Sequence, residues 1–121
     1  PLSRAGRGAI YLEMGRFPEA EADFRAVIGA HPGHAEAWSN LAVVLERRGD
    51  PAGALDAADR SLALSPERTD ALATRGLALL ALGRAAEARP VLEEALRRIP
   101  AGDSARAEVE EAMRRGWPTG A

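Results

Sequence analysis

Apolar residues along this chain recur with the three-to-four-residue spacing of helices that bury one stripe. The spacing predicts one set of helices over 2–14, 36–48 and 70–82, each ending at a glycine, Gly15, Gly49 or Gly83. A second set is expected over 18–30, 52–64 and 86–99, each ending before a proline or at a loop. Pro18 and Pro51 stand at the start of their helices, where a missing N–H costs little, and Asp50 is positioned as an N-cap. Pro90 lies about one turn inside its helix and is expected to distort the first turn or delay the regular start. A last helix, 104–115, is capped by Asp103 or Ser104. It carries Ala105, Val109, Ala112 and Met113 on one face and Arg106, Glu108, Glu110, Glu111, Arg114 and Arg115 around the rest.

The pattern repeats every 34 residues. Pro32, Pro66 and Pro100 keep that step, as do Gly15, Gly49 and Gly83, and Ala20, Ala54 and Ala88. Gly8, Ala42 and Gly76 keep it with small side chains, and Tyr11, Leu45 and Leu79 with large ones. Three units follow, 1–34, 35–68 and 69–102, with the final helix as a cap and 117–121 as a tail. A helix pair with a single apolar stripe buries it only by stacking on its neighbours. Within each pair the small residues are expected to face each other, Gly8 to Ala20, Ala42 to Ala54 and Gly76 to Ala88, letting the helices approach closely.

Composition supports an all-α fold and removes several function classes. Alanine, leucine, arginine and glutamate dominate, and all 16 basic residues are arginine. With 121 residues, 46% hydrophobic, the chain is long enough for one domain with its own core. A net charge of −2 gives no electrostatic case for nucleic acid, and no apolar run reaches the ~20 residues of a membrane span. The absence of cysteine removes disulfides and thiol chemistry. His31 and His34 flank a Pro-Gly turn but have no third ligand nearby, so neither a metal nor a cofactor is expected. The pairs Glu93–Glu94 and Glu110–Glu111 point to different sides of their helices, and no serine or histidine sits in a nucleophile context, so no catalytic residue is assigned. The chain begins at Pro1 rather than methionine and is expected to be part of a longer protein. No signal segment is visible, and a cytoplasmic setting is the expectation.

Residues 1–102 resemble three tetratricopeptide repeats. The second unit carries the fullest form in Trp38, Leu41, Ala42, Leu45, Gly49, Ala54 and Pro66. The resemblance implies a right-handed superhelix whose concave face, lined by the first helices, binds peptide segments or helices of other proteins. Arg7 and Arg75 replace the family's usual aliphatic residue. Their heads are expected to reach acids on an adjoining helix, Asp56 or Asp59 in the case of Arg75. Val27 and Ser61 replace the usual alanine of the second helix as packing variants. If Leu41 and Ala42 face the partner helix, helical geometry turns Ala9, Leu12, Glu13, Glu36, Asn40, Val43, Arg47, Asp70, Thr74 and Leu77 toward the groove, with Ser39 and Ala73 beside them.

That floor is mildly apolar, rimmed by Glu13, Glu36 and Asp70, and suits an apolar or basic segment. Relatives that clamp the C-terminal carboxylate of heat-shock chaperones use lysines, an arginine and asparagines at inner positions occupied here by Ala5, Ala9, Asn40, Asp70 and Thr74; only Asn40 matches. Trp38-Ser39-Asn40-Leu41 resembles the asparagine ladder of repeats attached to sugar-transferring enzymes, but Gly6 and Thr74 break the ladder. The expected function is a non-catalytic interaction module for a protein or peptide partner. The alternative is a substrate-recruiting or regulatory segment of a larger enzyme such as a bacterial glycosyltransferase. Trp117 is a candidate anchor, and the uncapped first helix, with Leu2 and Ile10, a candidate surface for weak self-association.

Overall fold

The computed structural model describes residues 3–116, so the expectations for Leu2 and Trp117 lie outside the described residues. Among these, seven helices follow one another: α1 (Arg4–Glu13), α2 (Phe17–Ala30), α3 (Ala35–Arg47), α4 (Pro51–Leu64), α5 (Thr69–Ala81), α6 (Ala85–Arg98) and α7 (Ser104–Gly116). No strand occurs among the described residues, and no helix there is long and apolar enough to cross a membrane.

The glycine corners explain the sharp ends of α1, α3 and α5. Gly49 has φ +81°, a backbone that a side chain would strain. The Asp50 N–H then donates to the Leu45 carbonyl at 2.9 Å and the Gly49 N–H to the Glu46 carbonyl at 3.1 Å, closing the helix end. Gly15 and Gly83 repeat this geometry one period to either side. At helix starts, Ser3 Oγ accepts from the Gly6 N–H, Asp50 Oδ1 from the Gly53 N–H and Asp103 Oδ1 from the Ala105 N–H, each satisfying an orphan donor. His34 serves the same purpose for α3, its Nδ1 accepting from the Ala37 N–H at 3.1 Å.

Pro90 does not delay the start of its helix. The helix α6 starts at Ala85 and runs unbroken through Pro90. Both Pro90 and Ala86, whose carbonyl loses its helical partner, are exposed, so water can take up the freed acceptor.

Each helix packs on its sequence neighbours, and the core runs along the stack. One cluster gathers Phe24, Leu41, Val44 and Leu45 with the buried alanines of α2 and α4; the next gathers Leu79, Leu92, Ile99 and Val109. Leu55 touches both and makes the core continuous. Burying each leucine or phenylalanine contributes about 1.5–3 kcal/mol. Ala20, Ala42, Ala54 and Ala88 are completely buried.

The glycines, however, face one turn further along than expected. A Cβ on Gly8 would come within 2.9 Å of the Phe24 ring, and one on Gly76 within 2.7 Å of Leu92 Cγ, rather than closest to Ala20 or Ala88. A Cβ tilts toward its own helix's N-terminus, and in an antiparallel pair this is the neighbour's C-terminal side.

Arg7 and Arg75 reach acids as expected. Arg7 forks onto Asp23 with Nε 2.8 Å and Nη2 2.6 Å from its two oxygens, and Arg75 Nε lies 2.6 Å from Asp59. Ser61 is more than a packing variant, because its buried hydroxyl donates to the Ala35 carbonyl at 2.8 Å and ties α4 to the start of α3. Arg106 is not simply surface charge either. It is half-buried and donates to the carbonyls of Leu96 and Ile99, satisfying the end of α6.

Curvature follows from which helices touch. The odd-numbered helices contact one another, α1 with α3, α3 with α5 and α5 with α7, whereas α2, α4 and α6 make no mutual contact. The stack therefore bends with the odd-numbered helices on the inside. At its first end, Ile10 is 45% exposed, although the residues one and two periods on, Val44 and Ala78, are fully buried against the preceding helix.

Candidate functional site

The inner surface is built by helical phase. Helices α3 and α5 turn Val43, Arg47, Asp70, Ala73, Thr74 and Leu77 toward a shared hollow of about 180 Å³, and α7 closes its far side. Five of the ten residues expected in the groove meet here: Val43, Arg47, Asp70, Thr74 and Leu77. The other five lie outside the hollow. Ala9 and Asn40 are half-buried, Glu13 and Glu36 are exposed, and Leu12 packs against the first core cluster.

Two inner hydroxyls are buried. Thr74 is 5% exposed and donates to the Asp70 carbonyl at 3.0 Å. Ser39 is completely buried; its Oγ lies near enough to the Asp70 carboxyl to help lower that acid's pKa, yet it makes no hydrogen bond of good geometry.

The sequence reading missed what α7 supplies. Ser104, Ala105, Glu108 and Val109 line the hollow, together with Glu46 from α3. A signal was present. Carrying the 34-residue step once more from Asn40 and Thr74 lands on Glu108, so α7 continues the inner column rather than merely sealing the end.

Electrostatics divide the hollow in two. At one end Asp70 is held by Arg68 through two bonds of 3.2 and 3.0 Å. Burial pushes the Asp70 carboxyl up, but the Arg68 and Ser39 interactions outweigh it and leave it below the usual range. Its arginine is correspondingly raised, by Asp70 first and with help from Glu36 and Glu67. At the other end Glu46 and Glu108 share one arginine loosely. Arg47 lies 4.0 Å from Glu46 and 3.6 Å from Glu108, long beside the 2.6 Å of Arg75–Asp59. Burial pushes the half-buried Glu46 carboxyl above its usual range, Glu108 adds to this, and Arg47 offsets it only in part.

A second hollow continues from the first along α5, past Asp70 and Ala73 to Thr69, Arg98, Ile99 and Pro100. A third lies at Pro32, Trp38, Arg60 and Leu64. Its polar groups are already engaged. The Trp38 Nε1 donates to the Pro32 carbonyl at 2.8 Å, Arg60 stacks 5.1 Å from the Trp38 ring centre, and Arg60 also reaches Asp56.

Known proteins share this architecture. Three solved structures can be compared. The first TPR of Spaghetti (RPAP3) bound to HSP90 peptide SRMEEVD superposes with a TM-score of 0.79, at 25% identity over 92% of this chain and 88% of that one. The first TPR domain of the human RPAP3 protein gives 0.78, at 25% identity over 92% and 87%. The second TPR domain of the human RPAP3 protein, in complex with HSP70 peptide SGPTIEEVD, gives 0.77 at 23% identity over 92% of each chain and shows the same fold. No curated protein matches the chain. The tetratricopeptide repeat family pattern matches residues 6–69 and again 50–104, nearly the whole of the seven-helix stack, and the chain belongs to that family.

Proposed function

We propose that this chain is a non-catalytic interaction module that holds an apolar or basic peptide segment on the inner face of α3, α5 and α7. The observation that carries the reading is the hollow there: an apolar floor of Val43, Ala73, Leu77 and Val109 under a rim of Glu46, Asp70 and Glu108, with Arg47 as the one basic lining residue among those described. Asn40, half-buried one turn away, extends the surface with an amide that can both donate to and accept from a peptide backbone. In a longer polypeptide the same face would recruit substrates to, or regulate, an attached enzyme.

The similar RPAP3 repeats hold acidic peptides of heat-shock proteins. This chain shares their fold, but its inner rim has the wrong sign for such a ligand. Asp70 and Thr74 stand at clamp positions where the chaperone-binding relatives carry basic or amide side chains. The test is a fluorescence-anisotropy titration with two labelled peptides, SRMEEVD and SRMRRVR, in which the three acids of the first are replaced by arginine. The expected result is that the basic peptide binds about tenfold tighter or better. Equal or tighter binding of SRMEEVD would overturn the charge preference.

A further inference from the structure

The geometry points to the α3–α5–α7 hollow as a subsite for one long side chain ending in a cation, an arginine or lysine of the bound segment, with its stem on Val43, Leu77 and Val109 and its head between Glu46 and Glu108. The inference rests on the groove reading above and narrows it to one side chain.

Three features converge. The first is size. A hollow of about 180 Å³ is smaller than the ~300–1,000 Å³ of pockets for drug-sized ligands, and it suits a single side chain. The second is polarity along its depth. The floor is aliphatic and the carboxylates stand above it, matching a side chain that is apolar along its stem and charged at its tip.

The third is charge balance. Asp70 is neutralised by Arg68 through two bonds. Among the described residues, Glu46 and Glu108 have no such partner. They share Arg47 at 4.0 and 3.6 Å, at or near the outer limit of an ion pair, and Arg47 itself is 46% exposed. Two carboxylates against one loosely held guanidinium leave a net charge of −1 at the mouth of an apolar hollow. A second cation entering between them relieves the repulsion between Glu46 and Glu108 and gains charge-assisted hydrogen bonds in a partly desolvated place. Arg47, which is only loosely tied, can swing outward without leaving a buried charge unpaired.

The test is affinity selection of a random nonapeptide library on the folded chain, run in parallel on the Glu46→Gln/Glu108→Gln variant, with circular dichroism as the check that both fold. The expected result is an enriched pool with arginine or lysine at one fixed position. A peptide from that pool should bind the variant about tenfold more weakly. Its analogue with norleucine at that position should bind both proteins equally. An enriched pool with no basic consensus, or a basic consensus unchanged on the variant, would overturn the subsite while leaving groove binding intact. Failure to enrich any peptide on the native chain would overturn both. Should the double variant not fold, Glu108→Gln alone, at an exposed position on α7, carries the same comparison.

Discussion

Single residues in this stack are judged by what lies within an ångström of them, and its glycines show how sharply. Gly76 faces Leu92, which is completely buried and has nowhere to move. Gly29, also helical, has nothing within 4 Å of where a Cβ would stand. Alanine is the better helix former by about 1 kcal/mol at both places. At Gly76 overpacking of about 1–3 kcal/mol opposes that gain, so Gly76→Ala should be net destabilising by about 1 kcal/mol. Gly29→Ala should stabilise by about 0.5–1 kcal/mol. Urea unfolding of the two variants checks the pair, and shifts of the same sign would contradict the packing described here. The small columns themselves were legible in the 34-residue step. The partners of Gly8 and Gly76 were read one turn off, because periodicity gives the face of a residue but not the tilt of its Cβ. Ser61 and Arg106 were harder still, since each answers a backbone carbonyl in another element, which no pattern of side chains reveals.

Whole elements were the most legible level. Gly15, Gly49 and Gly83 end their helices through left-handed backbone, and Asp50 and Asp103 cap as their positions suggested. Pro90 is tolerated inside α6 because the cost of an interior proline depends on whether water can reach the freed carbonyl. What binds one element to the next includes charge. Asp23, buried on α2, is joined to Arg7 on α1, and the Arg7 hydrogen bonds hold its carboxyl below the usual 3.8 despite the opposing effect of burial. A depressed acid stabilises the fold fully above its unfolded pKa, and the contribution disappears as pH falls through the folded value. Asp23→Asn should therefore melt below the native protein at pH 7, with the gap closing as pH is taken down from about 3.8. Thermal melts across that range check it, and a gap that stays constant in acid would contradict the pairing.

At the scale of the molecule, contact between successive odd-numbered helices, with none between the even-numbered ones, bends the stack and creates an inner face. That α3 and α5 line this face could be read from the repeat. The part played by α7 could not be seen while it was treated as a cap. Its residues Ala105, Glu108 and Val109 turn an open floor into a walled hollow, and only the folded stack sets Glu108 opposite Arg47 and Glu46. On the proposed reading, charge complementarity at this wall favours a basic segment. The proposed binding lies on the inner face at the α3–α5–α7 wall. Its most direct test is an NMR titration of the ¹⁵N-labelled chain with SRMRRVR. The expected result is amide shift changes concentrated at Val43, Arg47, Asp70, Leu77 and Glu108. Changes confined to α2, α4 and α6, or centred on the Trp38 and Leu64 hollow, would contradict it.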